Sequence, residues 1–179
     1  MQVDRELERV KTSRWPSTLS GRWPGTVRLS GDELQRAWGC FIGRMPWVRF
    51  FTLTFDPKRI FPVTQQRASR EAFTWCNQVQ YVLRRELAWA FATERGRSGL
   101  WHAHVLMTGT REARWGLVAE NWRVRNGNAD ERDVYAALGV SLYMTKSAAL
   151  GGEVVLSDTI DKYREHLCAT QVVGLWVCG

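Results

Sequence analysis

Two periods of apolar and polar residues run along this chain, and the switches between them mark out its elements. Residues 49–55, Arg49-Phe50-Phe51-Thr52-Leu53-Thr54-Phe55, place Phe51, Leu53 and Phe55 on one side and Thr52 and Thr54 on the other. They predict a strand with one buried face, ended by the turn-forming Asp56-Pro57. From residue 64 to about 87 the period changes, with Phe73, Cys76, Val79, Val82, Leu83 and Leu87 at helical intervals; this is the longest predicted helix, and its apolar stripe must pack on a sheet. Residues 88–94 and 101–107 alternate again around Arg95-Gly96-Arg97-Ser98-Gly99, the pattern of a β-hairpin. Upstream, Ser30 followed by Glu33 forms a capping box that predicts a helix from residue 31 to about 44, stopped by Pro46. Downstream the reading gives a helix over 110–122, a loop at Asn126-Gly127-Asn128, a strand over 129–135, a helix over 136–150 closed by Gly151-Gly152, and a last helix over 157–166.

These elements predict an α+β domain: a central antiparallel sheet of about five strands, helices packed mainly on its apolar face, and the helix of 136–150 reaching over the opposite, polar face. Residues 1–48 read as an N-terminal extension packed on or flanking the core. Residues 1–12 suggest a short amphipathic helix or a mobile arm. Arg14-Trp15-Pro16 is then echoed by Arg22-Trp23-Pro24, a non-helical repeat whose tryptophans can close the rim of a core or stack on unpaired bases.

Charge adds a partner class. Twenty-five Lys and Arg against eighteen Asp and Glu leave +7, and only Lys11, Lys58, Lys146 and Lys162 are lysines, so an arginine-rich surface points to polyanions. The four cysteines, Cys40, Cys76, Cys168 and Cys178, show no Cys-x-x-Cys pair, and the N-terminus lacks a secretory apolar segment; the expectation is free thiols in a reducing cytoplasm. The longest apolar stretches, such as 172–178, are far too short to span a bilayer.

Candidate chemistry lies in the hairpin. His102 and His104 flank Ala103 in a predicted strand, so both imidazoles project from one face about 7 Å apart and can converge on one ion. Trp101, Ala103, Val105 and Met107 take the opposite, core face. The partner strand brings Glu94 alongside, and Thr52 and Thr54 face the same open side. Two imidazoles and a carboxylate suit Mg²⁺ or Mn²⁺ with open positions for phosphate oxygens, and also admit Zn²⁺. Downstream, Tyr143 and Lys146 are three residues apart on a predicted helix, which puts phenol and ammonium on one face. Arg95 and Arg97 in the hairpin turn, and Arg123 and Arg125 before the last strand, are candidate phosphate contacts.

Taken in order, Phe51-Thr52-Leu53-Thr54-Phe55, then Glu94, then Trp101-His102-Ala103-His104-Val105-Leu106, then Tyr143-Met144-Thr145-Lys146 resemble the three motifs of the HUH endonucleases of the rolling-circle replication initiator (Rep) family. The resemblance covers about residues 49–150 and implies that 49–179 form an HUH endonuclease domain of ferredoxin- or RRM-like fold. It implies His102, His104 and Glu94 as metal ligands, Tyr143 as nucleophile and Lys146 as its helper. It further implies nicking and rejoining of single-stranded DNA, or of an origin hairpin, through a 5′-phosphotyrosine, with Thr52 and Thr54 beside the DNA. Ser147 stands where two-tyrosine members carry a second Tyr, so the likeness is to the single-tyrosine type; Ala103 is smaller than the residue usual between the histidines. No helicase is fused, so a host helicase and polymerase are the expected partners, in a bacterial or archaeal cytoplasm or, for a eukaryotic virus, the host nucleus. Two alternatives share these residues: a single-tyrosine HUH transposase, and a non-catalytic ferredoxin-like module that only binds nucleic acid.

Overall fold

The computed structural model describes residues 30–146 and 153–163; the expectations for 1–29, including the Arg-Trp-Pro repeat, and for the far ends of the last two helices lie outside the described residues. The chain begins with α1, Gly31–Ile42, whose capping box forms as the sequence predicts: Ser30 Oγ accepts from the Glu33 amide at 3.3 Å and Glu33 Oε2 accepts from the Ser30 amide at 2.7 Å. Then follow β1 (Arg49–Phe55), α2 (Gln65–Leu83), β2 (Trp89–Arg95), β3 (Trp101–Met107), α3 (Trp115–Arg125), β4 (Gly127–Asp133), α4 (Ala137–Met144), β5 (Val154–Leu156) and a 3₁₀ helix (Asp158–Tyr163).

The five strands form one antiparallel sheet in the order β4-β1-β3-β2-β5, so the α+β class and strand number are as expected and consistent with a ferredoxin-like arrangement. The helices, however, divide evenly between the two faces. On one, α2 and α3 cover Phe51, Leu53, Phe55, Trp89, Phe91, Ala103, Val105 and Met107, and Trp75, Trp115 and Trp122 fill the layer between. Their rings meet mostly edge-on, Trp75 with Phe51 at 5.1 Å and Trp122 with Phe55 at 4.9 Å, and burial of each such side chain contributes about 1.5–3 kcal/mol. On the other face α1, α4 and the 3₁₀ helix cover Phe50, Ala90, Ala92 and Leu106 with Ile42, Met45, Met144 and Ile160. That second core occupies half the face expected to stand open.

Several boundaries differ from the sequence reading for local reasons. α2 stops at Leu83 because Arg84 takes a left-handed conformation, φ 49°, and caps the last turn; Leu87 is buried as the lead into β2 rather than as a helical residue. α3 starts at Trp115, five residues late, since residues 110–114 form a turn in which Thr110 O accepts from the Trp115 indole at 2.8 Å. β4 starts two residues early at Gly127, where φ is 150° and a Cβ would lie 2.3 Å from Thr54 O, so only glycine fits. The helix expected over 157–166 is 3₁₀ where it is described, and β5 has no counterpart in the sequence reading. Cys76 is a free buried thiol, but Cys40 is disulfide-bonded; spacing along the chain does not reveal such a pairing, and the argument for a reducing compartment falls with it. No described helix is long and apolar enough to cross a membrane.

Candidate active site

Strand register builds the site. Thr54 pairs with His102 and His102 with Glu94, making one rung across β1, β3 and β2; Thr52, His104 and Ala92 make the next. Side chains on one rung share a face, so Glu94, both histidines and both threonines stand together as expected. Because Ala92 is small, the Glu94 carboxylate reaches diagonally past it, and Oε1 lies 2.9 Å from His104 Nε2. The threonine hydroxyls meet the other ring nitrogens: Thr54 Oγ1 is 2.9 Å from His102 Nδ1 and Thr52 Oγ1 is 3.3 Å from His104 Nδ1. At His102 the hydroxyl can accept from Nδ1–H; at His104 the carboxylate at Nε2 calls for the Nε2–H tautomer, in which Nδ1 accepts from the Thr52 hydroxyl.

The second half of the site comes from α4 and the turn after it. Lys146 Nζ donates to the same Glu94 Oε1 at 2.9 Å and sits 4.0 Å from the centroid of the Tyr143 ring. That ring stands edge-on to His104 at 4.9 Å, and Phe50 supports both, stacked on His104 at 5.7 Å and edge-on to Tyr143 at 6.1 Å. Tyr143 is 47% exposed while His104 is 2% exposed, so the phenol closes over the imidazole and keeps its own open side. α4 is pinned from behind by α1. Gly39 and Gly43 let the helices approach until a Cβ on Gly39 would lie 2.5 Å from Leu142 Cδ2; Gln35 Nε2 donates to Leu142 O at 2.9 Å, and Thr145 Oγ1 reaches Gln35 O at 3.3 Å. The helix placed by sequence in an N-terminal extension is thus the brace of the helix that carries Tyr143.

Burial and charge set the protonation of the group. Burial lowers the His102 and His104 pKa values below the usual imidazole value, against the opposing pull of Glu94; both rings are neutral at pH 7, and the His104–Glu94 contact is a hydrogen bond to a carboxylate rather than an ion pair. For Glu94 burial is the largest single influence and raises its pKa, but hydrogen bonds and charge from His104 and Lys146 together outweigh it and hold the carboxyl below its usual range. Lys146 is the counterpart: burial lowers its pKa, and the bond and charge of Glu94, with Tyr143, more than restore it.

Whether these residues suit a divalent cation can be judged from the donors. Two adjacent ligands about 2.1 Å from an octahedral ion stand about 3.0 Å apart, close to the 2.9 Å between Glu94 Oε1 and His104 Nε2. The donor types suit such an ion, but His104 Nε2 is spent on its hydrogen bond to Glu94 and would have to lose its proton to bind one. The closure does not yet exist: among the described residues no three His, Cys, Asp or Glu side chains are gathered as a metal site holds them. His102 Nε2 is turned to the hairpin, where a Cβ on Gly96 would lie 2.5 Å from it, and the Lys146 ammonium occupies Glu94.

The proposed DNA contacts fare unevenly. Thr52 and Thr54 face the site, but their hydroxyls bond the imidazoles, so they are positioning residues rather than free contacts. Arg97 is exposed at the hairpin tip; Arg95 is also exposed, and its Nε donates to Gly99 O across the turn. Arg123 is not at the site: it donates to Ala129 O and pairs with Glu120, tying α3 to β4. Arg125 ends α3, on the layer beneath the opposite face of the sheet. Strand alternation carried further would have found two groups the sequence reading missed. Phe50 shares the face of Thr52 and Thr54, and Asn128 and Asp130 pair with Thr54 and Thr52, extending the polar floor to the edge strand β4. Comparison with family models, characterised proteins and solved structures gives no match.

Proposed function

We propose that this chain is a metal-dependent, single-tyrosine endonuclease of the HUH type that nicks and rejoins single-stranded DNA, acting as a replication initiator of a rolling-circle element. The observation that carries the reading is the half-exposed Tyr143 ring held edge-on to His104 at 4.9 Å with the Lys146 ammonium 4.0 Å from its centroid. A phenol is a weak nucleophile at neutral pH and a phosphodiester is shielded by its own charge, so positive charge beside the phenol addresses both. Tyr143 loses its proton and its oxygen attacks phosphorus; the new phosphorus–oxygen bond forms as the bond to the 3′ oxygen breaks. The 3′ oxygen leaves, takes up a proton and ends as a 3′-OH, while the 5′ phosphate stays on Tyr143. Lys146 stabilises the phenolate before attack and the added charge during it. His102, His104 and Glu94 would hold a divalent cation, Mn²⁺ or Mg²⁺ by donor type, which when bound polarises and orients the scissile phosphate. Thr52 and Thr54 fix the imidazoles through their Nδ1 atoms.

Because the phosphotyrosine retains the energy of the broken ester, a second 3′-OH can attack it and restore the strand without ATP, and the freed 3′ end is a primer for a polymerase. A recessed site under α4 suits one strand, not a duplex. The test combines the protein, Mn²⁺ and a labelled single-stranded origin and looks for a band shift that survives denaturant. A shift lost in Tyr143→Phe supports the reading. No shift across metals and sequences, or one that persists in Tyr143→Phe, overturns it and turns attention to the exposed Tyr81 and Tyr135.

A further inference from the structure

We propose that the end of the sheet away from His102 and Glu94 carries a second nucleic-acid surface, which takes the phosphates of a single strand in an arginine-lined cleft and stacks an unpaired base on Tyr135. The inference stands apart from the catalytic reading, since none of these groups belongs to that site. Arg49 and Met107 pair across β1 and β3 at this end, whereas Thr54 and His102 pair at the other, about 17 Å away along the strands. Here the end of α2 and the turn before α3 enclose a cleft of about 500 Å³, where Arg84, Arg85 and Arg114 stand with Thr110, Glu112 and Leu117. Glu112 is the one carboxylate of that lining, and among the described residues none of the three arginines is in an ion pair. Arg85 Nη1 donates to Thr110 Oγ1 at 3.2 Å, which orients one edge of the guanidinium and leaves its other donors for a phosphate. Arg84 holds a left-handed backbone, φ 49°, at a helix end that favours glycine; an arginine there forgoes backbone ease and sets a charge on the rim.

The turn that closes the cleft also builds the base platform. Arg111, next to Thr110, lies 4.7 Å over the Tyr135 ring, donates to Val134 O at 3.1 Å and pairs with Asp133 at 3.2 Å. Tyr135 Oη donates to Asp133 Oδ2 at 3.2 Å. The ring is thus fixed at one face and at its hydroxyl while the residue is 84% exposed, so the other face meets water. A fixed, exposed aromatic beside unpaired arginines suits a single strand, whose phosphates meet guanidinium groups and whose splayed base meets the ring. A duplex keeps its bases stacked on one another and has none to offer without paying to unstack it.

Fluorescence anisotropy of a short labelled oligothymidylate with the full chain, without added metal, tests this. Arg84→Gly combined with Arg114→Ala should weaken binding about tenfold or more and lower the slope of log affinity against log salt by about 1.4, at about 0.7 per phosphate contact on a single strand. Tm should not fall, because glycine suits the left-handed position. Arg36→Ala combined with Arg70→Ala, which removes the same charge from exposed positions on α1 and α2, should bind as the unaltered protein does. Tyr135→Ala should weaken binding about fivefold or more, as for the loss of one stacked base, with the salt slope kept, and Tyr135→Phe should restore it. Unchanged binding by the cleft pair or by Tyr135→Ala, or an equal loss in the Arg36 and Arg70 pair, overturns the proposal. A duplex of the same sequence that binds as tightly overturns the single strand as ligand, and so does thymidine triphosphate bound as tightly, which would make the cleft one for free nucleotides. Adduct formation at Tyr143 is read by a separate gel, so either reading can fail alone.

Discussion

The close approach of α1 to α4 permits a quantitative test that needs no assumption about activity. Gly39→Ala places a Cβ 2.5 Å from Leu142 Cδ2, 2.9 Å from its Cγ and 3.1 Å from its Cα. In an exposed helix the change would gain about 1 kcal/mol of helical propensity; here overpacking costs about 1–3 kcal/mol. The net expectation is a loss of about 0–2 kcal/mol, a fall in Tm of up to about 8 °C at roughly 2–4 °C per kcal/mol for a chain of this size. The single variant alone decides little, so the measurement is a double-mutant cycle with Leu142→Ala, which removes Cγ and Cδ2. In that background the clash is gone except at Leu142 Cα, and Gly39→Ala should become neutral or stabilising, a coupling of about 1–3 kcal/mol between the sites. Denaturant unfolding followed by tryptophan emission gives the four free energies. The His104 ring protons supply a second readout, since Tyr143 lies 4.9 Å away: their shifts should move in Gly39→Ala and return in the double variant. If Gly39→Ala costs the same in both backgrounds to within about 0.5 kcal/mol, α1 does not set the position of α4 and the bracing argument is wrong.

Four further outcomes follow from the site. Tyr143→Phe should remove the covalent adduct yet shift stability by no more than about 0.5 kcal/mol, because the ring is half exposed and keeps its packing; gel analysis and a thermal melt check the two halves. Acidification should destabilise the fold. His102 and His104 titrate below 6.5 in the folded chain, so between their folded values and 6.5 the unfolded chain binds more protons and the unfolding free energy falls as pH drops through that window. Glu94, held below 4.5, adds a further loss as pH falls through its own range; melts from pH 7.5 to 4 should show a declining midpoint. Since Glu94 pulls both imidazole values upward, ¹H NMR titration of Glu94→Gln should place them lower still. Finally, Gly96→Ala puts a Cβ 2.5 Å from His102 Nε2, so the ring must turn and strain its Nδ1 contact with Thr54; the His102 ring-proton shifts should move in ¹H NMR while those of the distant Trp115 ring stay.

What the sequence disclosed follows from how local each signal is. Alternation over 49–55 and 101–107 found β1 and β3 with their bounds intact, because a strand buried on one face must repeat every second residue. The same period placed His102, His104, Thr52 and Thr54 together, and hairpin arithmetic added Glu94; Tyr143 and Lys146 joined them through helical spacing and now meet at Glu94 and His104. What stayed hidden depends on contacts between distant segments. Nothing near Gly39 or Gln35 announces that α1 will brace residues more than a hundred positions away, and β5 is three residues long, too short for a period to register. Arg123 looked like a phosphate contact because its backbone duty on Ala129 O requires knowing how α3 lies on β4. Phe50 was legible but overlooked: its buried position beneath α4 made a face of Thr52 and Thr54 look wholly polar.

Met144, beside Tyr143, is 1% exposed in the second core, and this adjacency limits what the phenol can do. A helix that swung outward to hand its tyrosine to another copy would carry that thioether into water and uncap Ile42 and Leu106. Trading of helices between subunits would therefore have to rebuild the same apolar layer around the α4 arriving from the other copy. With α4 seated in its own layer, a strand end captured on Tyr143 would stay moored to its own protomer, and a second scission at the same moment would call for a second molecule.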